Sequence, residues 1–236
     1  MTGTGDVATV DGSAPDRAAS GTAEPVTARG RRTRERLVVT AREVFEERGF
    51  NDTRMSDIAE RAGVSHGTVY VYFDSKSAVL ADVIAALLDE VADYLRVPDA
   101  DDPAHRISEA NLRYLQVHAT HARMLQVVEQ VATADERFAR VLADFRARHV
   151  ARVADAIRRL QSADRVTSEL DPDITAAALS AMVEGYARHF PGYAAEDVHP
   201  TLTALWLRSL GLDGPPSRTF TTDATTPPAA RHEEES

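Results

Sequence analysis

The stretch GVSHGTVYVYFDSK, residues 63 to 76, crowds side chains able to recognise another molecule into the length of one short helix. His66, Thr68, Tyr70 and Tyr72 carry an imidazole or hydroxyls, Val71 a pair of methyls, and Gly67 no side chain. These types suit contact with a nucleic-acid duplex. An imidazole meets a purine acceptor, hydroxyls serve phosphates or bases, a valine packs on a thymine methyl, and a glycine permits close approach. Catalytic signatures are missing: the chain has no nucleophile elbow, glycine-rich phosphate loop or HExxH pair. It has no cysteine, hence no disulfide framework or thiolate metal site. His118 and His121 lie one turn apart but lack a third ligand at helical spacing, so no metal and no cofactor is expected.

The elements that must present these groups are legible around them. MSDIAERAGVSHGTVYVYF reads as two short helices joined by a tight turn. Ile58 and Ala59 face inward in the first, and Gly63 suits the left-handed position that ends it. Val64 plugs the turn, Ser65 caps the second helix, and Val69 and Phe73 turn inward. This is a helix-turn-helix pattern, whose second helix lies in the major groove. His66, Gly67, Thr68, Tyr70, Val71 and Tyr72 are left facing outward.

Charge agrees with contact at one end. The net charge is −10, yet residues 27 to 80 carry ten basic groups against eight acidic ones. Arg29, Arg31, Arg32, Arg34 and Arg36 fall within eight positions, and this arm has the reach for a minor groove. The longest apolar run, from Ala78 to Leu95, is cut by Asp82, Asp89, Glu90 and Asp93, so no membrane span is expected. No basic-then-apolar leader opens the chain, and a cytoplasmic location is expected.

Elsewhere apolar residues recur at helical spacing and no alternating strand is found, which predicts an all-α fold of about nine helices. Residues 1–28 and 213–236, rich in Gly, Ala, Thr and Pro, read as tails. A DNA-binding domain over 29–75 and a helical regulatory and dimerisation domain over 76–212 fill the remainder. Asp102-Pro103 and Asp171-Pro172 read as helix starts.

From Arg31 to Leu80 the chain resembles the N-terminal domain of the TetR family of bacterial transcriptional regulators. The likeness rests on Ala41, Phe45, Gly49 and Phe50, on DIAERAGVS, and on GTVY and YFDSK at correct spacing. It departs at Val71 and Tyr72, where Tyr and His are frequent, and at Arg54, where Thr or Ser often precedes the second helix. Those departures leave the operator sequence open, with Thr53 as the expected cap and Arg54 as an added phosphate contact.

The resemblance implies a homodimeric repressor that binds a palindromic operator in double-stranded DNA and is released by a small apolar or amphipathic ligand. Arg31, Arg34, Thr53, Arg54, Ser65 and Lys76 would join the outward residues at the DNA. Lys76, the one lysine beside 26 arginines, would hold a phosphate. A pocket would lie among Tyr114, His118, Leu125, Glu129, Phe145, His149, Met182 and Tyr186, although a lone histidine on an apolar stripe, as His149 is, is more often a hydrogen-bonded core residue than a ligand contact. The last two helices would pair through Ala177, Ala178, Ala181, Gly185, Leu202, Leu205 and Trp206, and a tilt of the helix from Lys76 to Arg96 would couple pocket to DNA. A regulator without a ligand, or an activator, is the alternative. An all-helical enzyme using His118, His121 and Glu129 is the reading from another class.

Overall fold

The computed structural model describes residues 27–97, 102–190 and 194–212. Within them the chain forms nine helices and no strand: α1 (Ala28–Asp52), α2 (Met55–Ala62), α3 (His66–Tyr72), α4 (Lys76–Tyr94), α5 (Pro103–Thr120), α6 (Ala122–Ala134), α7 (Glu136–Ser162), α8 (Pro172–His189) and α9 (Ala195–Ser209). The expected tails lie outside the described residues, except that Thr27 and Ala28 belong to the first helix and its cap.

Short polar side chains start most of these helices, because the first amides of a helix have no partner within it. Thr27, Ser65 and Ser75 accept from the amides of Gly30, Thr68 and Ala78 at 3.1, 3.2 and 3.1 Å. Asp102, Asp135 and Asp171 do the same for α5, α7 and α8, and Pro follows Asp102 and Asp171. At α2 the cap is Arg54, whose amide donates to Asp57 at 2.8 Å. Thr53 is therefore not the cap: it is buried at the end of α1, and its hydroxyl donates to the Gly49 carbonyl at 2.7 Å. Gly49 sits at φ 77° and Gly63 at φ 65°, a region that costs other residues a Cβ clash.

Two apolar clusters form. The first joins Leu37, Phe45, Ile58, Val69, Phe73, Val79 and Leu80 of α1 to α4 with Met124, Val128 and Phe138 of α6 and α7. The second joins Leu115, Ile157, Leu179, Val183, Leu202 and Trp206 of α5, α7, α8 and α9. The first core does not end at residue 76 but continues through α4 into α6 and α7.

Lys76 closes the first cluster at its polar edge. Its Nζ donates to the carbonyls of Phe50, Asn51 and Thr53 at 2.5, 3.1 and 2.7 Å and lies 4.4 Å from the Phe50 ring centroid. Partial burial pulls its pKa below the ordinary lysine value, against the opposing pull of Asp52 and Asp57. An ammonium offers three protons from one point, and three converging carbonyls at a helix end use all of them; a planar guanidinium fork does not fit that arrangement. This accounts for one lysine in a chain that otherwise uses arginine. Lys76→Arg keeps the charge and should still lose about 1 kcal/mol of stability, because partly buried carbonyls lose a shared donor. A urea-unfolding midpoint equal to that of the parent would refute the clamp.

Candidate nucleic-acid interface

The second helix of the helix-turn-helix, α3, is fixed on one side and open on the other. Val69 and Phe73 are fully buried, and Val64 packs at the edge of the same cluster. On the opposite side Val71 is 71 % exposed and Tyr70 45 %, with Ser65, His66 and Gly67 also exposed and Thr68 half-buried. The imidazole of His66 meets the Tyr70 ring edge-on at 5.0 Å, and the Ser65 and Thr68 hydroxyls lie 2.7 Å apart. Tyr72 differs from its expected place: it packs partly against the first core.

Arg34 also departs from expectation. Its guanidinium pairs with Asp82 of α4 at 2.6 Å, donates to the Tyr72 carbonyl at 3.2 Å and covers the Phe73 ring at 4.5 Å. It ties α1 to the exit of α3 rather than reaching outward. Arg34, Thr53 and Lys76 are thus committed inside the domain, while Arg31 and Arg54 are exposed. The arginine-rich segment from Arg29 to Arg36 is not an extended arm but the opening turns of α1, with Arg29, Arg32 and Arg36 also exposed.

Arg42 of α1 joins three elements. It donates to Glu46 at 3.0 Å, to Glu90 of α4 at 2.9 Å and to Nδ1 of His121 at 2.5 Å. Arginine has no acceptor, so His121 must accept at Nδ1 and carry its proton at Nε2, which faces Glu90 at 3.6 Å. Burial holds the His121 pKa below its ordinary value. From the sequence this residue, at the α5–α6 junction, reads only as half of a metal pair or as a member of the enzyme alternative with His118 and Glu129. Its partners lie far off in sequence, and only a buried histidine beside a helix break hinted at them.

The expected pocket residues divide. Leu125 and Phe145 pack on the first cluster; Tyr114, Met182 and Tyr186 pack on the second. Glu129 pairs with Arg146 and Arg188 at 3.2 and 3.0 Å, and His118 stacks on Tyr114 at 5.4 Å. Of the eight, only His149 lines the cavity of about 550 Å³ that opens between the end of α4, α5, α7 and α9. The expected dimer residues divide as well. Leu202 and Trp206 are buried in the chain's own second cluster, whereas Ala177, Ala178, Ala181 and Leu205 are exposed and Gly185 is half-buried. No group of three or more potential metal-ligating side chains occurs among the described residues, and none of their helices is long and apolar enough to cross a membrane.

A capped, glycine-ended helix pair with an open second helix, mounted on a helical body, defines a helix-turn-helix regulator of transcription. Residues 37–83 match the family described as bacterial regulatory proteins, tetR family, and residues 103–210 match the tetracyclin repressor-like C-terminal domain. The chain belongs to the TetR family and is a DNA-binding transcriptional regulator. It is 27% identical over 167 residues to the transcriptional repressor BepR of Brucella suis, covering 65% of this chain and 78% of that one. It is 26% identical over 182 residues to the regulator EthR of Mycolicibacterium smegmatis, covering 74% and 84%. Salmonella enterica GusR shares the fold at TM-score 0.64 and 19% identity, covering 80% of this chain and all of that one. BepR and EthR are both transcriptional regulators of the helix-turn-helix type.

His149 makes the site's electrostatics testable. Burial, with Arg152 adding to it, lowers its pKa to about 4. The unfolded chain therefore takes the proton first, from about pH 6.5 downward, and stability falls until the folded state protonates near pH 4. His149→Phe should remove up to about 3 kcal/mol of that acid-side loss. His118 and His121, whose pKa values are also lowered, remain in both proteins and cancel in the difference of urea midpoints between pH 7.5 and 4.5.

Proposed function

We propose that this regulator is a homodimeric, cytoplasmic repressor that holds a palindromic operator and lets go when a small molecule binds its helical body. The observation that carries the reading is the face of α3: His66, Tyr70 and Val71 are open to solvent on a helix whose other side is wholly buried. A duplex's major groove accepts a helix of this kind, and phosphate contacts from Arg31 and Arg54 would set its register.

The two-fold arrangement is supported by α8 and α9. Ile174, Ala178, Ala181 and Gly185 recur along one side of α8, with Ile174 71 % exposed, and Leu205 of α9 is 44 % exposed. Small residues at such steps let two helices approach closely, and an isologous contact between two copies matches the symmetry of two half-sites. Leu202 and Trp206 serve instead to hold α9 against α5.

Coupling would run through the Arg42 junction, which joins α1, α4 and His121, and through α4 itself. A ligand shifts the dimer off DNA only to the extent that it prefers the conformation with misplaced reading helices. The helix α4 begins at Lys76, which holds the end of α1, and ends at the cavity wall beside Leu95, so one rigid element touches both regions.

Selection of bound sequences from a random duplex pool, at two salt concentrations, tests the reading. A palindrome with half-site centres about one helical turn or a multiple apart is expected, with binding that weakens steeply as salt rises. Failure to enrich any sequence would sink it. Replacing His66 or Thr68 should cost about 1–3 kcal/mol and relax preference at one base pair of each half-site. Ala181→Glu should give a monomer by sedimentation and lose operator affinity while its melting temperature stays close to the parent's; a stable dimer would place the interface elsewhere.

A further inference from the structure

The cavity between α4, α5, α7 and α9 has two unlike parts. Its body is apolar: Ile107, Ala110, Val153, Ile157, Leu160 and Leu210 line it. Four arginines, Arg96, Arg106, Arg152 and Arg159, also line it, against one carboxylate, Asp155. That carboxylate is already held by Arg158 at 2.7 Å. A net positive lining is unexpected in a chain of net charge −10. Arg152 has no ion-pair partner among the described residues; burial and then the charges of Arg96 and Arg148 depress its pKa. A guanidinium in that condition gains from an arriving anion more than a solvated one does.

A second, independent observation points into the same space. Trp206 lines the cavity, is 6 % exposed, and its indole Nε1 donor has no acceptor among the described residues. A buried donor without a partner is costly, and in a native structure it calls for an explanation. His149, held neutral at pH 7, also lines the cavity and can exchange a hydrogen bond without bringing in charge. The volume, about 550 Å³, lies within the range of small-molecule sites.

We propose that this cavity binds an amphipathic carboxylate, its acid group met by Arg96, Arg152, Arg159 and the Trp206 indole N–H and its hydrocarbon body against Ile107, Ile157 and Leu210. The inference gives a ligand class to the release mechanism above and rests on that reading only for its regulatory consequence; binding itself does not depend on it. A cation of the same length places like charge beside unpaired guanidinium and is rejected. A neutral alcohol of the same length fills the apolar part but forfeits the charge-assisted bonds.

Trp206 is the chain's one tryptophan and serves as the reporter. The full chain would be titrated with decanoate, 1-decanol and decyltrimethylammonium below micelle formation, following Trp206 emission and, in parallel, the heat of binding. Decanoate should give a saturable change, decanol should bind at least tenfold more weakly, and the ammonium should give none. Arg152→Gln, at a position where the like charges of Arg96 and Arg148 crowd, should keep the parent's melting temperature and weaken decanoate tenfold or more. Ala110→Phe, which fills the cavity from α5, should abolish the response in a protein that still melts cooperatively. Equal binding of the cation, no saturable response to decanoate, or unchanged affinity in a folded Arg152→Gln protein would each overturn the proposal. Decanoate that binds as expected but leaves operator affinity unchanged would uphold the site and overturn the release mechanism instead.

Discussion

The recognition helix is only as well placed as the three carbonyls beneath it. Phe50, Asn51 and Thr53 end α1 with their oxygens turned toward one point, and the ammonium of Lys76 fills that point from the start of α4. Since α3 hangs between α2 and α4, joining the end of α1 to the start of α4 closes the loop that contains it. Arg34 makes a second closure from the other end of α1, to Asp82 and the Tyr72 carbonyl. A seven-residue helix has little stability of its own, so its orientation must be imposed by such ties and by the burial of Val69 and Phe73.

This division of labour separates the charges that hold from the groups that read. Three basic side chains of α1 and α4, Arg34, Arg42 and Lys76, are spent on carboxylates, carbonyls and an imidazole. Base-facing chemistry is left to the uncharged or weakly charged set on α3. Held charges give geometry that survives salt, because partly buried pairs are screened less than exposed ones. Exposed arginines at the start of α1 are the salt-sensitive part.

Local features were readable from the chain itself. Gly63, Ser65, Val69 and Phe73 announce a turn, a cap and a buried face by their immediate spacing, and the structure has all of them. The helix starts at Asp102-Pro103 and Asp171-Pro172 are equally local. What the spacing does not carry is which distant group a side chain meets. Lys76 and Arg34 look like free cations until α1 is folded beside α4. Likewise, helical periodicity puts Trp206 and Tyr114 on apolar faces without saying which neighbour is opposite. Trp206 therefore turns out to hold α9 on α5, and Tyr114 packs with His118 and His149 outside the cavity wall. Leu205, one position away from Trp206, keeps the outward face that both were expected to share.

The first apolar cluster runs without a break from α1 through α4 into α6 and the opening of α7. A helix-turn-helix cut away at residue 75 would strip Leu80, Val83 and Leu87 from beneath it and bare an apolar underside. Such a fragment is not a portable cassette. A chimera that grafts this reading head onto another sensor body has to carry α4 and a matching α6 surface with it, so exchange of specificity among such regulators is easier by altering side chains on α3 than by shuffling whole domains.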